Sequence, residues 1–337
     1  MAMFLLAAAA FPQAYDEDPL KSMPIRIEQW KQMQAYIAAL PAPARPRAGA
    51  AFRDRIGYPP PGFLKNPTLR LEKIGEDATA TWHRCWIRVT PEMETYGLYL
   101  VPKSAKKPAP LVISQHGGGG YPELAAFQGG SNYHDMVRGA AAEGYVVFAP
   151  LVVMYPYRDR DHGTPIPENV RGQFDDTLRD KGTSLAAVEV YKISKALDVL
   201  LRRPEIDRRR VAMVGLSDGG YYTLYATALE PRIRVAVASC AFRDQAASTG
   251  KTAGRLTDLS SDELVALIRP RPLQVQSGIH DKGFPIDNVR QAVAKAEKHY
   301  SAPSLKGRFV FEAFDGGHEF RGDLAWKFLR EQLRSGK

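Results

Sequence analysis

The sequence predicts an α/β fold in which a mostly parallel central sheet carries helices on both faces. Short, continuous apolar runs follow one another from residue 108 onward, as strands buried on both faces do. Stretches with helical spacing of apolar residues separate these runs, and such alternation builds a parallel sheet. Upstream, three segments alternate apolar and polar residues, which is typical of antiparallel strands with one solvated face. We therefore expect an antiparallel edge joined to a parallel sheet.

The individual elements follow from the same periodicities. The edge strands are predicted at Leu69–Ile74, Ala80–Val89 and Thr95–Val101. The buried strands are predicted at Leu111–Ser114, Tyr145–Val152, Val211–Leu216, Val235–Ala241, Leu273–Ser277 and Phe309–Phe314. Helices are predicted at about 133–143, 184–203, 219–230, 261–268, 286–300 and 323–334. The second helix has the clearest ends, because Thr183 or Ser184 can cap it and Pro204 stops it.

Two regions fall outside this pattern. Residues 1–65 predict an N-terminal helical extension, packed on the main α/β domain of residues 66–337. Residues 1–14 resemble a short signal segment, although no Lys or Arg precedes the apolar run, so the expected location is cytoplasmic, or exported if this is a signal remnant. Residues 153–182 lack periodicity and contain charges, prolines and glycines. They predict a loop or small lid over one end of the sheet.

Composition and charge narrow the classes of partner that the protein is expected to bind. The chain has 337 residues and a formal charge of +9, but its positive residues are scattered. The densest cluster, Arg202 to Arg210, is interpreted as a solvated loop, with a binding patch as the alternative. No basic run alternates with aromatic residues as on a nucleic-acid surface. No apolar stretch approaches the ~18 residues that span a membrane. Cys85 and Cys240 lie in apolar, strand-like runs and are expected to be buried free thiols.

The strongest motif is Gly215-Leu-Ser-Asp-Gly219, which has the G-x-S-x-G spacing of a nucleophile elbow. It follows a buried strand and opens a predicted helix, which is the context that such an elbow requires. The turn is so tight that its flanking positions have no room for side chains, and it raises the hydroxyl of Ser217 above the sheet. Ser217 is therefore predicted to be a nucleophile.

A glycine-rich loop follows the strand Leu111–Ser114. His116 is followed by four glycines, and residues without a Cβ let backbone N–H groups approach a ligand closely. An oxyanion hole is expected at this place in the chain, formed by the N–H of Gly118 or Gly119 together with the N–H of Asp218. His116 itself is interpreted as structural.

An acid and a base follow later strands in the order that this chemistry requires. His318 lies in a Gly-flanked loop after the last strand and is predicted to be the general base. Asp281 closely follows the strand Leu273–Ser277 and is predicted to orient that imidazole, with Asp287 and Asp315 as competing acids. His280 is interpreted as a loop residue.

With these four features the chain resembles the α/β-hydrolase superfamily over about residues 69–337, and within it the dienelactone hydrolase and acetyl xylan esterase branch. The resemblance rests on the elbow, on the preceding segment Arg203–Val211 and on Gly316-Gly-His-Glu319. Arg171-Gly-Gln173 is similar to an Arg-Gly-Gln element of acetyl xylan and cephalosporin-C deacetylases. Those enzymes have Gln after the serine where this chain has Asp218, and dienelactone hydrolases proper use Cys where this chain has Ser217. The alternative for Arg171 is that it tethers its loop by hydrogen bonds.

The resemblance implies a serine hydrolase that cleaves a carboxylic ester, such as a short acyl ester on a carbohydrate, through an acyl-enzyme. A peptidase or amidase of the prolyl-oligopeptidase-like type is the alternative, and a non-catalytic binding protein on the same fold is a third. The mechanism needs no metal or organic cofactor. The expected partner is a small-molecule ester, contacted by Tyr155 and Arg171, and the oligomeric state is left open. The substrate site would be completed by other residues of 153–182 and of 242–260.

Overall fold

The computed structural model describes residues 14–41, 51–104, 108–127, 131–153, 170–243 and 260–334. Within them the chain forms a nine-stranded sheet with the order β1-β2-β3-β5-β4-β6-β7-β8-β9. The strands are β1 Thr68–Glu76, β2 Ala80–Arg88, β3 Glu94–Pro102, β4 Ala109–Gln115, β5 Val146–Pro150, β6 Ile206–Leu216, β7 Val235–Ser239, β8 Leu273–Gly278 and β9 Phe309–Phe314.

Helices of the described residues surround this sheet. They are α1 Met23–Ala39, α2 Phe52–Arg55, α3 Pro122–Phe127, α4 Met136–Ala142, α5 Val170–Asp180, α6 Leu185–Leu200, α7 Asp218–Leu229, α8 Ser261–Ile268, α9 Ile286–Ala296 and α10 Gly322–Arg334. None of them combines the length and apolarity that crossing a bilayer requires. Both cysteines, Cys85 and Cys240, are buried and unpaired, as expected.

The pairing of the strands confirms the predicted sheet. β1, β2 and β3 pair antiparallel, and β3 joins the rest of the sheet through an antiparallel pairing with β5. From β5 to β9 every neighbouring pair is parallel. β4, β5, β7 and β8 are buried along their whole length, which explains their continuous apolar sequences.

The strand β6 and the helix α5 differ from the sequence prediction. β6 begins at Ile206, five residues before the predicted start, because the exposed Arg208 and Arg209 interrupt its apolar pattern while the backbone continues extended. α5 lies inside the stretch where the sequence predicts a loop or lid. Its sequence is mostly polar, and its helical form is secured by tertiary contacts: Leu178 is fully buried, and the Phe174 ring stacks on Trp30 at 4.2 Å between centroids.

The helix α1 is joined to the sheet by hydrogen bonds and by core packing. The side-chain oxygens of Gln32 and Gln29 accept the backbone N–H groups of Glu94 (2.9 Å) and Tyr96 (3.3 Å) in β3. Met33 and Tyr36 of α1 are fully buried in the same hydrophobic core as the sheet. The boundary at residue 65 stays a prediction, and the predicted signal segment lies almost wholly outside the described residues.

The parallel arrangement decides where functional side chains can meet. β4, β6, β8 and β9 run in the same direction, so their carboxyl ends lie at one edge of the sheet. The loops after these four strands hold the glycine-rich loop, Ser217, Asp281 and His318. In open α/β sheets, ligands bind in crevices outside this edge.

Candidate active site

Ser217 occupies a strained turn between β6 and α7. Its backbone has φ 59° and ψ −120°, outside the conformations that a serine ordinarily adopts. A Cβ on Gly215 would lie 2.3 Å from the carbonyl oxygen of Gly219, and one on Gly219 would lie 2.2 Å from that of Gln115. Neither position can therefore hold a side chain, as the sequence predicts for the elbow. Such local strain persists only where the surrounding structure enforces it, and it is common at functional sites.

The glycine-rich loop lies directly against this turn. A Cβ on Gly117 would be 3.0 Å from the Cβ of Ser217, so the two segments are in contact. The loop closes on itself through a hydrogen bond from the Gly120 N–H to the Gly117 carbonyl oxygen (3.0 Å), and Gly119 has a φ of 67°. Asp218 is the first residue of α7, where backbone N–H groups lack intrahelical acceptors. The structure therefore places Gly117 against Ser217 and Gly118 against Asp218, so the glycine-rich loop that also contains Gly119 lies beside the elbow.

His116 has a structural position, as expected. The Val152 N–H donates to its Nε2 (3.0 Å), so Nδ1 carries the proton and donates to the Gly117 carbonyl oxygen (2.9 Å). Burial lowers the pKa of His116 to about 3, because the charged imidazolium would lose its hydration. The ring stays neutral and ties the glycine-rich loop to the segment after β5.

His318 is oriented by Asp281. The His318 Nδ1 lies 2.7 Å from the Asp281 Oδ2. The Asp281 side chain is fully buried, and its Oδ1 accepts the backbone N–H groups of Gly283 (2.8 Å) and Phe284 (3.2 Å). These hydrogen bonds hold the carboxylate in place and leave Nε2 as the imidazole nitrogen that is not bound to Asp281. The Phe284 ring stacks on the imidazole at 5.7 Å between centroids, which fixes its plane.

The competing acids lie elsewhere. Asp315 is 2.9 Å from the Nε2 of His280, and both side chains are exposed. Asp287 pairs with Arg290 at 3.4 Å on the exposed face of α9. Of the three acids considered from the sequence, Asp281 is the one that contacts His318, and His280 is the loop residue that the sequence suggests.

A second loop holds the segment of the chain around His318, and the sequence gives no signal for it. The Asn132 Nδ2 donates to the carbonyl oxygen of His318 (3.0 Å), and the Phe320 N–H donates to the carbonyl oxygen of Asn132 (2.9 Å). The Nε2 of His134 lies 2.9 Å from a carboxylate oxygen of Glu319. Residues 186 positions apart are thus joined, which no local pattern could have indicated.

Arg171 contacts the residue that follows the nucleophile. Its Nη1 donates to the Asp218 Oδ2 (3.0 Å) and its Nη2 donates to the Tyr222 hydroxyl oxygen (2.6 Å). A Cβ on Gly118 would lie 2.6 Å from the same Asp218 oxygen, so this carboxylate lies between the guanidinium group and the glycine-rich loop. The substrate contact predicted for Arg171 stays a prediction.

Charged groups buried in α6 fix the segment that follows β5. The Lys192 Nζ donates to the Leu151 carbonyl oxygen (3.1 Å) and to Glu189 (2.7 Å), and Glu189 accepts the Val153 N–H (3.0 Å). This segment leads into residues 154–169. Tyr155, predicted to contact substrate, lies outside the described residues, as does most of 242–260.

Cys240 lies close enough to Asp281 and His318 for the three side chains to be considered as a metal site. Within the described residues, potential ligand atoms of Cys240, Asp281 and His318 lie within 4.8 Å of one another. Burial raises the pKa of the Cys240 thiol to about 11, with the nearby Asp281 charge contributing. Metal-binding cysteines are thiolates, and Asp281 already accepts three hydrogen bonds. The group therefore fits hydrogen-bonded acid–base chemistry better than metal coordination.

Comparison with known proteins places this geometry in a family. The profile of the acetyl xylan esterase family (AXE1) matches residues 67–246, which is more than half of the chain. The chain belongs to this family. It is accordingly a carboxylic ester hydrolase, which confirms the activity class expected from the resemblance. The Bacillus subtilis (strain 168) protein YtaP is 24% identical over 263 residues, covering 70% of this chain and 79% of YtaP.

Solved structures confirm the α/β-hydrolase fold. A glucuronoyl esterase from Solibacter usitatus superimposes with a TM-score of 0.58 at 17% identity, covering 97% of this chain and 98% of that one. Acetyl xylan esterase 1 from Thermoanaerobacterium sp. JW/SL YS485 superimposes with a TM-score of 0.54 at 18% identity, covering 95% and 100%. This chain therefore shares the fold of these enzymes, but at 17–18% identity their substrates cannot be assigned to it.

The close packing of the backbone at the elbow can be tested by adding a methyl group there. Gly219→Ala places a methyl group within 2.2 Å of the Gln115 carbonyl oxygen, so the end of β4 and the start of α7 must separate. We expect the free energy of unfolding to fall by about 1–3 kcal/mol, as in overpacked cores. Gly317→Ala is the matched control, since no neighbouring atom lies within 4 Å of its added Cβ. Urea unfolding measures both, and an equal loss in the two variants would contradict the interpretation.

Proposed function

We propose that this ester hydrolase works through a serine acyl-enzyme, with Ser217 as nucleophile, His318 as general base and Asp281 as the residue that orients His318. The 2.7 Å contact between the His318 Nδ1 and the Asp281 Oδ2 carries the proposal, because it selects one acid among three and leaves Nε2 for the serine proton. The strained elbow supports it by raising Ser217 at the same sheet edge. The oxyanion donors would be the N–H groups of Asp218 and of Gly118 or Gly119.

In the first half-reaction the Ser217 oxygen attacks the acyl carbonyl carbon and its proton passes to the His318 Nε2. The negative charge that develops on the carbonyl oxygen is stabilised by the backbone N–H groups at the start of α7 and in the glycine-rich loop. The protonated His318 then gives its proton to the leaving alcohol. In the second half-reaction His318 activates water in the same way, and the attack of that water releases the acid and restores Ser217.

Asp281 keeps the imidazole in the reactive tautomer. Its buried carboxylate accepts the Nδ1 proton and stabilises the imidazolium that forms when Ser217 is deprotonated. His116 cannot replace His318, because both of its nitrogens are used in hydrogen bonds and its pKa is lowered to about 3.

Arg171 is assigned an electrostatic task beside the oxyanion hole. Asp218 follows the nucleophile, and its carboxylate lies close to Gly118, so a negative charge stands near the place where the oxyanion forms. Two negative charges about 6 Å apart repel by roughly 3 kcal/mol at an effective dielectric constant of 20. The Arg171 guanidinium group, 3.0 Å from Asp218, offsets this repulsion.

The substrate that fits the family is an acetyl ester, or a similar short acyl ester, on a carbohydrate. The support is the family description, which names acetyl xylan, and the structural neighbours, which are named as glucuronoyl and acetyl xylan esterases. Arg171 and Tyr155 are proposed to contribute to the substrate pocket.

Removal of the nucleophile tests the mechanism. We expect Ser217→Ala to lower kcat for p-nitrophenyl acetate by about 10³-fold or more, since the acyl-enzyme cannot form. Stopped-flow assays would measure it, with an aminoacyl p-nitroanilide of similar size as the amide comparison. Equal rates in Ser217→Ala and the parent would contradict the proposal. Faster turnover of the anilide than of the acetate would replace the esterase assignment with the amidase one.

The acid is tested by two matched substitutions. Asp281→Asn should lower kcat by about 10⁴-fold, the size of the effect in serine proteases, because an amide can hold His318 in the wrong tautomer. Asp315→Asn should leave kcat within about twofold, since that carboxylate contacts the exposed His280. Circular dichroism verifies that both variants fold. A larger loss in Asp315→Asn than in Asp281→Asn would reverse the assignment.

A double-substitution cycle tests the role of Arg171. Arg171→Gln leaves the Asp218 charge uncompensated and should lower kcat by about 10- to 100-fold with a smaller change in KM. Adding Asp218→Asn removes that charge and should restore most of kcat, while keeping the backbone N–H that faces the oxyanion. If the double variant is as slow as Arg171→Gln, Arg171 acts through substrate contact or through folding and the electrostatic role is excluded.

A further inference from the structure

A cavity of about 560 Å³ lies at the edge of the sheet opposite to the catalytic loops. It is formed where β6 passes the starts of β7, β8 and β9, and the end of α10 closes one side. Five of its lining residues are arginines from four separate parts of the chain, and none of its lining residues is acidic. They are Arg209, Arg210, Arg234, Arg271 and Arg308.

The positive charge of this cavity is poorly compensated. Arg210 pairs with Asp207 at 2.6 Å. The side chains of Arg209 and Arg234 make no hydrogen bond or ion pair with any of the residues that the structure describes, and Arg308 donates to a carbonyl oxygen. Among the described residues, Arg210 is thus the one of these five arginines that forms an ion pair with a carboxylate.

Arg271 lines the cavity and is held in place by backbone carbonyl oxygens. Its guanidinium group donates to the carbonyl oxygens of Ile268 (3.1 Å), Glu230 (3.1 Å) and Ile233 (3.0 Å). Burial is the main cause that lowers the pKa of Arg271; the positive charge of Arg234 acts in the same direction, and Tyr300 and Glu230 act against it. Carbonyl oxygens hold the guanidinium group in place without cancelling its charge.

The catalytic reaction does not account for these residues. Arg210 and Ser217 are separated by seven residues of extended chain in the second half of β6, so a ligand in the cavity lies roughly 23 Å from the nucleophile at about 3.3 Å per residue. Converging like charges also reduce the stability of the fold unless something neutralises them. A ligand that binds here would therefore stabilise the protein without contacting the ester.

We propose that this cavity binds a small anion carrying two or more phosphate groups. Guanidinium groups match phosphate oxygens with paired N–H donors and remain charged at all relevant pH values. The volume lies within the range of small-molecule sites. Each phosphate group brings more negative charge than a carboxylate, so a compact polyphosphate balances the uncompensated guanidinium groups where a single acid would not. The proposal does not depend on the catalytic mechanism.

Inorganic triphosphate is the probe. Titration calorimetry in 150 mM NaCl should show saturable one-to-one binding to the parent protein and equal binding to Ser217→Ala. The double variant Arg209→Gln/Arg234→Gln should bind at least about tenfold more weakly, since two charged hydrogen-bond donors are lost. The control Arg202→Gln/Arg290→Gln removes the same charge from exposed sites outside the cavity and should bind as the parent does.

Three results would overturn the proposal: an absence of saturable binding, an equal loss of affinity in the control variant, or equal affinity for a trimer of galacturonate, which would indicate carboxylates instead. Thermal unfolding at low salt shows whether a loss of binding in the variant comes from a folding defect. Without ligand, the Arg209→Gln/Arg234→Gln variant should be at least as stable as the parent, because like charges have been removed. A lower Tm would indicate that the two arginines are structural.

Discussion

Three backbone segments meet at the nucleophile with no space for side chains between them, and the site depends on this crowding. Gly219 lies against the end of β4, and Gly215 lies against the first turn of α7. Because the segments are this close, Ser217 adopts a strained conformation with a positive φ, and the glycine-rich loop comes into contact with it. The same packing places the start of α7, which is the positive end of the helix dipole, beside Ser217. A looser turn would separate the proposed nucleophile from its oxyanion donors.

Around this turn, each ionisable group is restricted to one state or one partner. Burial keeps His116 neutral and Cys240 protonated, so neither competes for the serine proton. Asp281 is buried but satisfied by backbone N–H groups and His318, and Asp218 is matched by Arg171. These arrangements are consistent with His318 as the proposed general base.

The two edges of the sheet differ in what their charges face. At the carboxyl edge, acids and bases are paired in hydrogen bonds, whereas at the amino edge five arginines line a cavity that has no acidic residue in its lining. The sequence suggests a solvated loop for Arg202 to Arg210, since local pattern shows only that cluster. The fold adds Arg234, Arg271 and Arg308, because the starts of parallel strands come together regardless of their separation along the chain.

The sequence by itself determined the sheet, its parallel and antiparallel parts, and the elbow, because each depends on local periodicity or on glycines at fixed spacing. It also indicated the chain order in which Ser217, Asp281 and His318 follow their strands. Only the tertiary structure decided which acid contacts His318: Asp315 is closer in sequence, yet Asp281 is the one at 2.7 Å. It alone revealed α5, whose polar sequence is helical through contacts with Trp30 and the core, and the Arg171–Asp218 pair. Such contacts join residues tens to hundreds of positions apart, and periodicity carries no information about which distant side chains the folded backbone will bring together.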